Sequence, residues 1–243
     1  MKKTLLKKVI IGLIISNIFS SQLVLAADNT NYEEINKGIT SETKEEVEAS
    51  EKKIKEAEEY VTRKKMMRTA NNIKVLQNYK RAIQDSSYLC GPYAAYNATN
   101  GVMPVSEFKK WLGTTYNGTN FPGMWVATMD IAMPGNAYVV SRAPGKTYES
   151  WRAVLKNAII TTIDKNYPVI ADCHIDSADT YLHSDYNGTN VYHYVGVIGY
   201  DDRPQIIPAE VYIVDSWGRI GDRVYWTSLD QLTRATDEYG IIW

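Results

Sequence analysis

The stretch "AIQDSSYLCGPYAAYNATNG", residues 82–101, sets a cysteine, Cys90, directly before Gly-Pro and an alanine-rich run. Pro92 is tolerated only in a first helical turn, Gly91 lets backbone come close, and Tyr93-Ala94-Ala95 propagates. A helix is therefore expected to begin at Cys90 and to stop at Asn100-Gly101, a C-cap signal. A thiol attacks a carbonyl only as thiolate, and an ordinary pKa of about 8.5 leaves little of it ionised at neutral pH. The unpaired N–H groups of a helix start favour the anion. Ala94, Ala95 and Ala98 would let this helix pack closely on its neighbours. The second cysteine, Cys173, falls inside the apolar "PVIADCHI", residues 168–175, where a thiol behaves as a small hydrophobe. Cys90 is thus the candidate nucleophile. A Cys90–Cys173 bridge and an inert thiol are the alternatives, and the redox state of Cys173 stays open.

A thiolate needs a base. His174 ends a strand, His183 lies in the polar loop "SADTYLHSDYNGTN", and His193 opens the strand "HYVGVIGY". If that strand pairs antiparallel with "EVYIVDSW" about a turn centred on Pro204, paired positions add to 408 and His193 stands opposite Asp215. Cross-strand neighbours of this kind have Cβ atoms about 5 Å apart, close enough for a carboxylate to orient an imidazole. A bulge in the connection would break that register. A strand histidine with satisfied hydrogen bonds is the alternative for His193. Gln84, six residues before Cys90, could place its side-chain amide beside the Cys90 N–H and give two donors for a tetrahedral oxyanion; alone it reads as a surface glutamine. No His or Cys pair has metal-ligand spacing, so neither metal nor cofactor is expected.

The pattern around this constellation sets the fold class. After the Cys90 helix come a short helix "SEFKKWLG", capped by Ser106 and ended by Gly113, and a helix from about Pro122 to Met133. "AYVVSR" follows as a strand, then a helix over 148–164 with Trp151, Val154, Leu155, Ala158 and Ile159 on one face, then the buried strand "PVIADCHI". "YHYVGVIGYDD", "EVYIVDSWG", "RVYWTSLDQL" and "YGIIW" read as an antiparallel meander. Helices first and a sheet afterwards indicate an α+β domain over residues 71–243, a size that buries one substantial core. Tyrosine is abundant (18) and phenylalanine scarce (3), so many half-buried, hydroxyl-tipped aromatics are expected in it.

Ahead of the domain, residues 1–26 carry four lysines, an apolar run from Val9 to Phe19 and small residues before Ala27, the order of a secretory signal peptide cut after Ala26. An uncleaved anchor is the alternative, but the run is short of the about 20 residues a bilayer span requires. Removal leaves 23 basic against 28 acidic residues, a net charge of −5 that argues against nucleic acid as a partner. The mature chain is expected to be secreted or at the cell surface, with no stable membrane insertion. Residues 27–70 hold "SETKEEVEASEKKIKEAEEYVTRKKMMRT", which reads as one long helix with Thr43 and Glu46 as a capping box. Val47, Ile54 and Val61 make half a heptad seam, so the segment is a solvated spacer that could self-associate through 40–69, or a pro-segment removed near "RKKMMR".

Taken together, Gln84, Cys90-Gly91-Pro92, "HYVGVIGYDD" with His193 and "VYIVDSWG" with Asp215 resemble the bacteriocin-processing cysteine peptidases and their stand-alone secreted relatives, in order over residues 75 to 243. The resemblance implies a papain-like fold, with an N-terminal helical part packed on a C-terminal antiparallel sheet. It also implies a peptide or protein substrate and a thioester intermediate. It assigns Cys90 as nucleophile, His193 as general base and acid, Asp215 as its orienting carboxylate and Gln84 to the oxyanion hole. Two positions depart from the family pattern: Tyr93 stands where alanine is common, and Ser216 where proline follows the aspartate. Papain-like relatives also include amidases and acyl transferases with the same chemistry. A non-catalytic surface-binding module of this fold is a further alternative.

Overall fold

The computed structural model describes residues 42–67, 72–204, 206, 209–221 and 223–243. The expected signal peptide and its cleavage point lie outside them. The elements run α1 (Lys44–Met66), β1 (Ile73–Val75), α2 (Cys90–Ala98), α3 (Val105–Trp111), α4 (Trp125–Ala132), β2 (Val140–Arg142), α5 (Tyr148–Asp164), β3 (Val169–Ile175), β4 (Val191–Asp201), β5 (Glu210–Val214), β6 (Val224–Ser228), α6 (Leu229–Ala235) and β7 (Gly240–Ile242). The sheet order is β2-β7-β3-β4-β5-β6, all antiparallel, and β1 extends the line of β3 along the far half of β4. This is the α+β class expected. Strands β3 to β6 form the meander, but "YGIIW" does not continue it: β7 crosses back and inserts between β2 and β3.

Three local expectations need correction. "RVYWTSLDQL" is strand only to Ser228; the Ser228 hydroxyl then accepts from Gln231 N, a Ser-x-x-Gln capping box turns the chain, and Leu229 and Leu232 are buried as the inner face of α6. The short helix "SEFKKWLG" opens at Val105 after Pro104, with no side-chain cap, so Ser106 is not its cap. The helix expected from Pro122 begins only at Trp125.

α1 is not a solvated spacer. Its capping box forms as expected, Glu46 N donating to Thr43 Oγ1 (3.2 Å) and Thr43 N to Glu46 Oε2 (2.7 Å). Ala57 and Val61 are buried, Ile54 is partly buried and the helix packs on α5, so the C-terminal part of the apolar half-seam is occupied within the chain while Val47 stays exposed. Lys64 Nζ donates to Asp164 Oδ2 and to Tyr200 OH, both at 2.5 Å. Lys53 Nζ donates to the carbonyls of Ala137 (2.9 Å) and Trp243 (2.6 Å) and lies 4.7 Å from the Trp243 ring. A run of charge that reads as polar in sequence thus buries lysine stems while the ammonium groups find fixed acceptors.

Register between β4 and β5 decides the site. Near the connection, Gly199 pairs with Tyr212 and Asp201 with Glu210, so paired positions add to 411; nearer the site, Val197 pairs with Ile213 and Gly196 with Val214, adding to 410. The expected value of 408 fails because the connection, residues 202–209, is longer on its return side than a turn centred on Pro204 allows. Ile198 is the extra residue between the two registers, a β-bulge, and its carbonyl accepts from Leu76 N at 2.8 Å.

Candidate active site

Close approach places Cys90. A Cβ on Gly196 would lie 2.7 Å from Ala98 Cβ and 2.7 Å from Val214 Cγ1, so α2 rests on the sheet where β4 has no side chain. A Cβ on Gly91 would lie 2.4 Å from Thr119 Oγ1, so the 114–121 loop touches the helix start. That loop is tied to itself by Thr114 Oγ1 and Thr119 Oγ1 at 2.7 Å. The helix begins at Cys90 as expected, after one 3-10 turn, and the thiol is 7% exposed. Cys173 is a separate, fully buried free thiol paired with His193 across β3 and β4; burial first, then the charges of Asp172 and Asp215, push it well up.

His193 joins Cys90 to Asp215. Its Nε2–H donates to Asp215 Oδ1 at 2.8 Å, which leaves Nδ1 as the ring nitrogen available to Cys90, close enough for its charge to act on the imidazole. Burial alone would push the imidazolium down; the charge and hydrogen bond of Asp215, with those of Cys90, outweigh it and raise His193 to about 10. Asp215 lies one residue past β5 and accepts four hydrogen bonds: from His193, from Trp217 N (2.8 Å), from Tyr186 OH (2.6 Å) and from Tyr225 OH (2.8 Å). Burial works against its charge, but the imidazolium and these donors hold the carboxyl below its ordinary range. Tyr186 and Tyr225 carry no sequence signal beyond the abundance of tyrosine. Among the described residues, the other two histidines have different partners: His174 bonds Glu238 (2.6 Å) and Asn190 (3.0 Å), and His183 Nδ1 accepts from Asp185 N (3.2 Å).

Gln84 is brought to the same neighbourhood by two anchors. The fully buried Asn97 of α2 accepts from Ala82 N and donates to Ala82 O, both at 2.9 Å. On the other side, Gln84 N donates to Ser216 O (2.9 Å) and Ser216 Oγ donates to Gln84 Oε1 (2.8 Å). That acceptor fixes the orientation of the amide, whose Nε2 points to the carbonyls of Ser86 (3.2 Å) and Ser87 (3.4 Å) on the turn leading into Cys90. The amide therefore stands by the nucleophile's turn, with its donors on loose backbone acceptors.

A cavity of about 500 Å³ opens over Cys90, lined among others by Tyr88, Tyr116, Phe121, Asp172 and Tyr239. Residues of α1 are not part of its lining. Among the described residues no group of three or more His, Cys, Asp or Glu is placed to hold a metal ion, and no helix is long and apolar enough to cross a membrane.

Comparison with known proteins adds the following. The model of the Peptidase_C39 like family matches residues 71–240. No curated protein matches the chain significantly. Among solved structures, a protein from Bacillus anthracis assigned to the C39-like peptidases aligns with a TM-score of 0.47 at 14% identity, over 71% of this chain and 96% of its own.

Proposed function

Since the chain belongs to the Peptidase_C39 like family, a family of cysteine peptidases, we propose that it cleaves peptide bonds with Cys90 as nucleophile, His193 as general base and acid, and Asp215 as its orienting carboxylate. The observation that carries this reading is the position of His193, with Nε2 on the Asp215 carboxylate and the ring near enough to Cys90 for the two to interact electrostatically. The Cys90 thiolate attacks the scissile carbonyl carbon. The oxyanion takes the Cys90 N–H and the Gln84 Nε2, which leaves its Ser86 and Ser87 carbonyls for the stronger acceptor. Protonated His193 gives its proton to the leaving nitrogen as the C–N bond breaks, which leaves a thioester. Water, deprotonated by His193, then attacks the thioester carbon, and the acid departs as Cys90 is regenerated.

The N-terminal segment supports an exported protein, and the acidic balance of the chain after its removal favours peptides over nucleic acid as its substrate. Replacing Cys90 by Ala tests the core of the proposal: turnover of peptide substrates and labelling by a thiol-directed probe should both vanish while the melting temperature holds. Unchanged turnover in that variant would overturn it. Offering amine acceptors separates hydrolysis from acyl transfer, since a transferase would give ligated product in excess of free acid.

A further inference from the structure

The cavity over Cys90 has a charged floor that the triad does not use. Asp172 lies in β3, one residue from the rung that pairs Cys173 with His193, and stands opposite Tyr194 of β4 and Gly240 of β7. It is 5% exposed and lines the same cavity as the nucleophile. The hydroxyl of its rung neighbour Tyr194 donates to Thr119 O at 3.1 Å. A phenol has one proton, so while it is held by Thr119 it is not given to the Asp172 carboxylate. Burial, only partly offset by Tyr194 and His193, pushes Asp172 up to about 7. A carboxylate in this position gains most from a cation.

The walls match. Tyr239 meets Phe121 edge-on at 6.2 Å and Tyr192 edge-on at 5.8 Å, so ring faces and edges surround the side of the cavity next to Asp172. Glu238, hydrogen-bonded to His174 and to the lining Tyr192, adds negative potential at Asp172. Lys109 lies 5.3 Å from the ring of Tyr88, another lining residue, and brings a positive charge close to that part of the cavity. A buried carboxylate beside aromatic rings, with a second carboxylate close enough to reinforce its potential, is what binds an ammonium or guanidinium group with a hydrocarbon stem.

We propose that Asp172 and its tyrosine walls form a specificity pocket for a lysine or arginine side chain of the peptide substrate, beside the bond that Cys90 attacks. The proposal rests on the peptidase reading for its substrate, and its test is built to fail separately. The probes are fluorescence-quenched octapeptide mixtures in which one position at a time is fixed as Lys, Arg, norleucine or Glu. At one position Lys and Arg should exceed norleucine in kcat/KM by at least about ten-fold, the effect of one well-placed buried ion pair. Asp172→Asn should collapse that ratio, and Asp172→Glu should retain part of it. A ratio taken on one preparation is independent of the fraction folded. Cleavage without a basic preference, or a ratio unchanged in Asp172→Asn, would overturn the pocket and leave the peptidase intact. The second measurement is the rate at which iodoacetamide alkylates Cys90 in the presence of the same mixtures. Lys-fixed peptides that protect the thiol better than norleucine-fixed ones, in a protein that cleaves neither, would overturn the peptidase reading and keep the pocket. Equal protection together with no cleavage would overturn both.

Discussion

His193 and Asp215 meet at 2.8 Å although they are not rung partners in the sheet. In the register nearest the site, residue 193 would face 217, so Asp215 is its diagonal neighbour on the same face. In the register on the other side of the bulge, residue 193 would face 218, and Asp215 would point to the opposite face. The single extra residue, Ile198, is what keeps imidazole and carboxylate together.

The first prediction concerns the carboxylate. Asp215→Ala leaves an imidazole, two phenols and one backbone N–H without their acceptor, which should lower stability by about 3–5 kcal/mol in urea titration. Asp215→Asn preserves shape but not charge, and kcat should fall by about 10²- to 10⁴-fold. The fall should remain smaller than in His193→Ala, since in the proposed mechanism His193 transfers the proton and Asp215 only orients it.

A second prediction concerns Ser216, one of the two residues that depart from the family pattern. Its hydroxyl holds Gln84 Oε1 at 2.8 Å and so aims the amide. Gln84→Ala should cost about 10²- to 10³-fold in kcat, the usual effect of losing one oxyanion donor, and Ser216→Ala about ten-fold. The double variant should be no slower than Gln84→Ala alone, because the two side chains act through one group. Additive losses in that cycle would refute the assignment.

Gly196 gives the third. Gly196→Ala puts a methyl 2.7 Å from Ala98 Cβ, an overpacking expected to lower stability by about 1–3 kcal/mol. It should also slow alkylation of Cys90, because the helix carrying the thiol is lifted from the strand carrying its base. Melting temperature and labelling rate measured on one sample check both.

The fourth concerns pH. His193 is raised from 6.5 to about 10, so its contribution to stability is complete below pH 6.5 and is lost as pH rises through 10. Lys53 runs the other way: burial, with the nearby charge of Lys165, lowers it from 10.5 to about 7, so stability linked to it grows between those values. In His193→Asn the melting temperature should therefore rise with pH across 7–10, and in Lys53→Met it should fall. The alkaline limb of kcat/KM should lie near pH 10 in the native enzyme and move down in Asp215→Asn.

The residues brought together were largely legible because each carries a local signal: a Gly-Pro pair after Cys90, a strand opening at His193, an aspartate at the end of "EVYIV". The pairing arithmetic had the right partners for the wrong reason, since parity survived a shift of two positions. Loop length and a bulge are non-local and have no periodic signature, so the register itself was not readable. The helix at Leu229 was readable from Ser228 and Gln231 but was masked by the β-branched run before it. Asn97, Tyr186 and Tyr225 were not, because their partners are far along the chain and polarity alone does not say which buried group will need them.

The placement of β7 has a consequence in time. This strand closes the gap between β2 and β3, and Trp243, fully buried behind it, supplies the acceptor and ring that seat Lys53 of α1. Both partners of each long-range closure must be present before either is stabilised, which makes such pairings slow to form. A chain crossing a membrane from its N-terminus delivers Cys90 early, His193 and Asp215 about a hundred residues later, and the closing strand last. Under the proposed export the thiol would travel without its base and the cleft without its walls, so the proposed peptidase would be inert until its passage is complete.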